Sequence, residues 1–481
     1  MNLRIVIENG SEARVTGSEE ALSWLDEFVS FEDTKAKRRE RMGYYGGPTR
    51  IRLFSRKRGT LPVGLIPLVA KGAQSQNMGL AISDHRTKTL ADPEALAERL
   101  RAEPLTMRPY QVDAIVAATV NASLYGRGVI KIPTGGGKGR VAVAIAKAIP
   151  GRWLFCVHRG NLADDVAKRW ETLATDEPPA GFVGAGRWEV GERLTCSTLQ
   201  TLHRARGSQR FADLARSIDG VIVDECHTAP ARSFYETIRE FSRATYRVGL
   251  SGTPFDRGDR RSLMAVAAIG PIEYEISARQ LIDAGMLSEP EIRILPLEQR
   301  ASPESEGDYR KVYEELIVSS KPRNRLVVEA MRKTLADGES PGMVFVRRIE
   351  HARTLRDLAR AAGINVEVVD GNRDTEQRAA ALARLEDSRI DFIISTKVFA
   401  EGVNVPELRT VINAAGGKSV IETLQQVGRG SRRTDGKNRF IVYDIGDKGN
   451  RWLHAHAKER IRAMRREGFN CVVVRDLWSD T

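Results

Sequence analysis

The chain has 481 residues, 41% of them hydrophobic and 29% charged, enough apolar mass for several cores and too much for a mainly disordered polymer. Lysine and arginine total 75 against 63 acidic residues, giving a net charge of +12 and a pI near 9.6, a balance that favours polyanions, nucleic acid first. No run approaches the roughly 18 apolar residues of a membrane helix, and Cys156, Cys196, Cys226 and Cys471 stand too far apart for a zinc ribbon or a disulfide framework.

The first residues, MNLRIVIENGSEARV, alternate like a strand and lack the apolar run of a signal peptide, so a soluble, non-secreted protein with reduced thiols is expected. Residues 1–95 alternate strand-like runs (LRIVI, RIRLF, VGLIPLV) with a helical stretch from Glu19 to Phe28, the pattern of a small α+β accessory domain. Its middle is strongly basic: Lys35, Lys37, Arg38, Arg39, Arg41, Arg50, Arg52, Arg56, Lys57 and Arg58, with Tyr44 and Tyr45 interleaved. Cations neutralise phosphates and aromatics stack on bases, which makes Arg38, Arg39, Arg56 and Lys57 candidate nucleic-acid contacts; the alternative is a solvated loop.

From Thr106 to Pro296, the short apolar runs VIKIPT, WLFCVH, LTCST, GVIVDE and RVGLS alternate with helical segments. A second alternation, PGMVFV, NVEVV, DFIIST, TVINA and FIVYD, runs from Arg325 to Gly446. The polar stretch LEQRASPESEGD (297–308) reads as a connector. The expected organisation is α/β: a small α+β N-terminal domain (1–95), two tandem parallel-sheet domains (96–296 and 325–450) joined by a connector (297–324), and a C-terminal basic helix and strand (451–481).

The strongest local signal is VIKIPTGGGKGRVAVAIA, a buried strand, a glycine loop, a lysine and a helix. Glycines let backbone N–H groups turn in around phosphates, and the helix N-terminus adds positive potential. Pro133, Thr134, Gly135, Gly136, Gly137, Lys138, Gly139 and Arg140 are therefore candidate nucleotide contacts, with Lys138 reaching the β- and γ-phosphates. Two positions depart from the general phosphate-loop pattern. Ile132 replaces the first glycine, and Gly139 replaces the Ser/Thr whose hydroxyl ordinarily holds Mg²⁺. Further on, the apolar run GVIVD ends in DECH (224–227), where Asp224 is placed to hold Mg²⁺ and Glu225 to orient and deprotonate the attacking water. His227 reads either as a γ-phosphate sensor or as an ordinary polar residue.

DECH, together with SGTP (251–254) and QQVGRGSRR (425–433), resembles the superfamily 2 helicases and translocases. The resemblance implies two RecA-like domains, with ATP and Mg²⁺ as cofactors. It places Gln111 of RPYQ (108–111) against adenine, beside Arg108, and lets Ser251 and Thr253 link ATP state to the nucleic-acid path. FVRR (345–348) and STKVFAEGVNVP (395–406) occupy the fourth and fifth motifs, with Gly402 and Asn404 near the ribose; Asn404 stands where many members have aspartate. Gln425, Arg429 and Arg432 form the last motif. Phosphoryl transfer needs a cation near the developing charge, and an arginine from a second domain provides it when a cleft closes. Arg429 and Arg432, three apart, would share one helix face. HRGNL, STLQT, Arg347 and Thr396 match the segments that grip the nucleic-acid backbone, which singles out Arg159, Thr198, Arg347 and Thr396; Thr198 is equally a helix cap.

The N-terminal runs FVSFED, RIRLF and LPVGL and the C-terminal FNCVVVRDLW extend the resemblance to the phage recombination helicases. It implies an ATP-driven enzyme remodelling branched DNA by junction migration, R-loop or D-loop unwinding and fork reversal, tracking 3′ to 5′ in the cytoplasm of an infected bacterium. Two other readings stay open: an RNA-remodelling ATPase, and an ATP-responsive DNA-binding scaffold with weak hydrolysis because of Gly139. The stretch Arg451 to Arg466 reads as a helix with a basic and an apolar face. Its His454 and His456 lack further ligands for a metal site.

Overall fold

The computed structural model describes residues 2–44, 49–87, 92–158, 160–226, 232–253, 262–371, 373, 375–396, 405, 407–434 and 436–478. The chain divides into two compact units, Met1–Ile132 with Gly137–Ile276, and Pro133–Gly136 with Ser277–Thr481.

The first unit carries an eight-stranded sheet in the order Arg187–Trp188, Gly181–Gly184, Leu194–Thr198, Trp153–Val157, Gly220–Asp224, Tyr246–Ser251, Arg127–Lys131, Ile272–Glu275. All its pairings are parallel except that of the two-residue strand Arg187–Trp188. Trp153–Val157 is buried along its whole length, which is why it reads as a continuous apolar run.

The N-terminal residues belong to this same unit. Their four-stranded sheet has the order Thr60–Pro62, Glu12–Gly17, Asn2–Ile7, Gly79–Asp84, with a separate ribbon of Ser30–Glu32 and Arg50–Arg52. The helix Glu19–Phe28 forms as expected, capped by the Ser18 hydroxyl. The run 63–69, expected as a strand, is helical instead: a 3₁₀ turn at Val63–Leu65 leads into the helix Ile66–Ser75. Pro67 sits in the first helical turn, where its missing N–H costs nothing, and Ile66, Val69 and Ala73 recur at helical spacing to form one buried stripe.

Side chains of the small sheet and its two helices, among them Ile5, Leu25 and Val69, share a single buried cluster with Leu124, Met264 and Ala267. A polar seam joins the same two regions. Arg127, fully buried, donates to the carbonyls of Gly10 (2.5 Å), Ala268 (2.8 Å) and Ile269 (2.9 Å). Arg247, also buried, donates to the Ser11 hydroxyl (2.6 Å) and the Phe241 carbonyl (2.9 Å).

The second unit carries seven strands in the order Val366–Val369, Phe392–Ser395, Gly342–Phe345, Thr410–Asn413, Arg439–Lys448, Glu289–Glu298, Cys471–Val473, all pairings parallel. The boundary expected after residue 296 falls at 276, because Glu289–Glu298 pairs along its full ten residues with Arg439–Lys448 and so belongs to the second sheet. The expected connector 297–324 is largely folded. It holds the helix Tyr309–Tyr313, a π-helical turn Glu314–Val318 and the start of the helix Lys321–Ala336. Val312, Leu316 and Ile317 pack there with Leu453. The C-terminal helix Arg451–Arg466 and strand Cys471–Val473 are likewise integral, the strand pairing with Glu289–Glu298. Arg460, counted in that helix's basic face, is buried and ion-paired with Asp444 at 2.7 Å, so it is removed from any surface role.

Candidate nucleotide and nucleic-acid sites

The strand Arg127–Lys131 leads into a loop whose Gly135 and Gly137 have φ of 90° and 85°, values that favour glycine. Gly137 caps the helix Lys138–Ala148, and a Cβ there would stand 2.6 Å from Gln111 Nε2. Lys138, the first residue of that helix, has its Nζ 3.5 Å from the Ile132 carbonyl and 3.8 Å from Glu225 Oε1. Its side chain is only 11% exposed and that of Glu225 20%.

Asp224 ends the buried strand Gly220–Asp224, and its Oδ1 accepts the Glu225 N–H at 2.9 Å. Glu225 has φ of 48°, the left-handed region that non-glycine residues seldom occupy. Cys226 beside them is buried, and burial pushes its thiol pKa up, so it is a packing residue.

These residues suit a nucleoside triphosphate. A glycine turn at a helix N-terminus offers N–H donors, and Lys138 is held near, but not tightly against, a carboxylate. One carboxylate, Asp224, together with the nucleotide's own phosphates and water is the donor set Mg²⁺ ordinarily takes. No cluster of three or more metal-ligating side chains occurs among the described residues.

Gln111 lies in the helix Pro109–Thr119, where its Oε1 accepts the Arg108 N–H at 3.1 Å and its side chain is 3% exposed. The Arg108 side chain is exposed. Arg140 donates to the Thr106 hydroxyl at 2.9 Å and to the Leu105 carbonyl, which directs its guanidinium to the segment before that helix.

In the second unit, Gln425 is buried and Arg429 half-buried in the helix Val420–Gly430. That helix ends at Gly430, so Arg429 and Arg432 do not share a helix face as the spacing had suggested. Arg432 lies in extended backbone bridged to Leu287, and the Ser288 hydroxyl contacts the carbonyls of Arg432 (3.1 Å) and Lys437 (2.9 Å). Pairing with the segment at 287–288 outcompetes another helical turn there.

Of the expected nucleic-acid contacts, Thr198 caps the helix Leu199–Ala205, accepting the Thr201 N–H. Arg347 pairs with Glu422 at 2.6 Å. Thr396 is half-buried at the end of the strand Phe392–Ser395, Lys57 is exposed, and Arg56 is exposed and paired with Glu19. The side chains of Arg38 and Arg39, and residues Arg159, His227, Gly402, Asn404 and Tyr45, lie outside the described residues. His454 bonds the Asp447 carbonyl through Nδ1 at 3.0 Å, and His456 packs edge-on against Tyr309.

Comparison with known proteins gives this geometry its context. Residues 104–256 match the type III restriction enzyme res subunit family, and residues 325–434 match the helicase conserved C-terminal domain family. The ATP-dependent DNA helicase uvsW of Enterobacteria phage T4 is 24% identical over 515 residues, covering 98% of this chain and 99% of its own. The chain is a superfamily 2 helicase. This helicase is also 26% identical over 409 residues to the DNA 3′-5′ translocase XPB2 of Sulfurisphaera tokodaii, covering 78% of this chain and 88% of that protein. The structure of Dbp5 of S. cerevisiae bound to RNA and ADP BeF3 superposes on 81% of this chain and 94% of its own with a TM-score of 0.55 at 15% identity, a likeness of fold. As an ATP-dependent helicase the protein is a hydrolase, and its two sheets are the two RecA-like domains of that class. No helix among the described residues is long and apolar enough to cross a membrane.

Proposed function

We propose that this helicase is a DNA motor that remodels branched DNA, by junction migration, R-loop or D-loop unwinding or fork reversal, in phage recombination and replication inside an infected cell. The observation that carries the reading is the end-to-end match to uvsW, which takes in the basic N-terminal domain as well as the two motor domains. A motor that works on any sequence must grip backbone, and a surplus of twelve positive charges suits that task.

In this reading Lys138 and the loop Pro133–Gly137 hold the β- and γ-phosphates, and Gln111 with Arg108 reads the base. Glu225 takes a proton from the water that attacks the γ-phosphate. Gln425, Arg429 and Arg432 supply charge to the phosphoryl group as it transfers. Mg²⁺ bound with the nucleotide neutralises phosphate charge, with Asp224 the residue to hold it. Arg347, Thr396, Thr198, Arg159 and the basic N-terminal residues contact phosphates of the nucleic acid.

The test is strand displacement on a DNA fork, on the matching RNA fork and on a four-way DNA junction, each with and without ATP. The reading expects ATP-dependent product from the DNA fork and junction and little from RNA. Product from the RNA fork alone would replace it with an RNA-remodelling role.

A further inference from the structure

The substitution of glycine for the phosphate-loop hydroxyl raises a structural question: what stands where that side chain would point? Position 139 is not crowded. A Cβ there would lie 3.8 Å from Val166 Cγ2, 3.6 Å from Arg169 Cδ and 3.5 Å from Arg169 Nε, all ordinary contacts, so a serine would fit. The missing hydroxyl is therefore not imposed by packing. What occupies its side of the loop is a guanidinium stem, contributed by the helix Gly160–Leu173, which packs against the helix Lys138–Ala148.

Arg169 is exposed, and among the described residues it makes no hydrogen bond or ion pair. An unneutralised guanidinium beside a helix N-terminus, with Lys138 the adjoining residue, sits in a positive field that repels it. An anion arriving at the loop relieves that repulsion, and guanidinium is well matched to phosphate: planar, always charged, and able to give two parallel N–H donors.

We propose that Arg169 is a nucleotide-contacting residue, which approaches the phosphates from the side of the loop that Gly139 leaves open and supplies there some of the positive charge otherwise drawn from a hydroxyl-held metal. This rests on the reading of Pro133–Lys138 as the triphosphate loop. The ligand class is a nucleoside di- or triphosphate, and the contact is a charge-assisted hydrogen bond with no covalent step.

The experiment is equilibrium binding of a non-hydrolysable ATP analogue, followed by calorimetry, in Mg²⁺ and again with the metal chelated. The proteins are the full chain and its Arg169→Gln, Arg169→Lys and Lys138→Ala variants. Loss of one charge-assisted hydrogen bond should weaken Arg169→Gln binding about tenfold, with the larger penalty in chelator. Arg169→Lys should recover part of the loss, and the thermal midpoint without nucleotide should stay unchanged because the side chain is exposed. Affinity of Arg169→Gln within about twofold of the parent, while Lys138→Ala has lost binding, overturns the proposal and leaves the loop assignment standing. Full binding by Lys138→Ala overturns the loop assignment, and the proposal with it.

Discussion

The two units bury charge in different ways, and the contrast separates residues that hold the fold from residues that work. In the second unit Arg323 pairs with Asp447 at 2.6 Å and Arg460 with Asp444 at 2.7 Å, all four side chains at most 3% exposed. In the first unit the candidate catalytic pair Lys138 and Glu225 is 3.8 Å apart and partly open. Close, dry pairs are structural, since removing one partner strands the other in a medium that cannot solvate it. In the function proposed above, a loosely held lysine beside a carboxylate, at a helix start, is the one that serves a ligand. The buried arginines of the first unit form a third case: Arg127 and Arg247 find only carbonyls and a hydroxyl, and burial pulls the pKa of both down, that of Arg247 to about 9. There the guanidinium acts as a multi-donor staple between the N-terminal domain and the motor sheet.

Substitutions at these pairs test the contrast. Glu225→Gln should retain nucleotide binding while phosphate release falls by on the order of 10²–10⁴-fold; normal release would remove Glu225 from the chemistry. Asp444→Ala, which takes from buried Arg460 its nearest carboxylate and leaves Asp447 at 3.9 Å, should cost about 3–5 kcal/mol in a denaturant titration, with the nucleotide affinity of the folded protein intact. If Asp444→Ala instead weakened nucleotide binding at full stability, the division into structural and working pairs would be wrong.

A pH titration separates the same classes. His351 is buried, its Nε2 2.8 Å from Asn324 Oδ1, and burial, then Arg323, hold its pKa down to about 3. Between about 6.5 and about 3 the unfolded chain binds a proton that the folded chain refuses, so stability should fall as pH drops through that window and be unaffected by this group above it. His351→Gln should flatten that part of the acid limb in pH-dependent unfolding. The smallest effect is expected from Arg56→Gln with Lys57→Gln, which should lower the slope of log binding constant against log salt by up to about two, without changing ATP affinity. An unchanged slope would make these two side chains solubility features.

Much of the motor was legible in the sequence because its strands are continuous apolar runs and its loop is spelled in glycine and lysine. The strand Gly220–Asp224 and the helix Lys138–Ala148 lie where the pattern puts them. What escaped was set by tertiary partners. Glu289–Glu298 reads as the tail of the first alternation, and only its parallel pairing with Arg439–Lys448 assigns it to the second sheet. Ile66–Ser75 was hidden by an apolar run too short to separate strand from helix by periodicity. Arg432 left the helix because Leu287, far away in sequence, offers it a backbone partner. Arg169 carries no motif; the only signal was the glycine at 139, and what faces that glycine is decided by how two helices pack.

The most direct test of the account is phosphate release from ATP with Mg²⁺, measured alone, with a DNA fork and with the matching RNA fork, using Glu225→Gln as the blank. A DNA motor predicts strong stimulation by the DNA fork above that blank, which would also show that Gly139 is compatible with turnover. Release at the level of the blank under every condition, with nucleotide still bound, would contradict it and leave an ATP-responsive scaffold in its place.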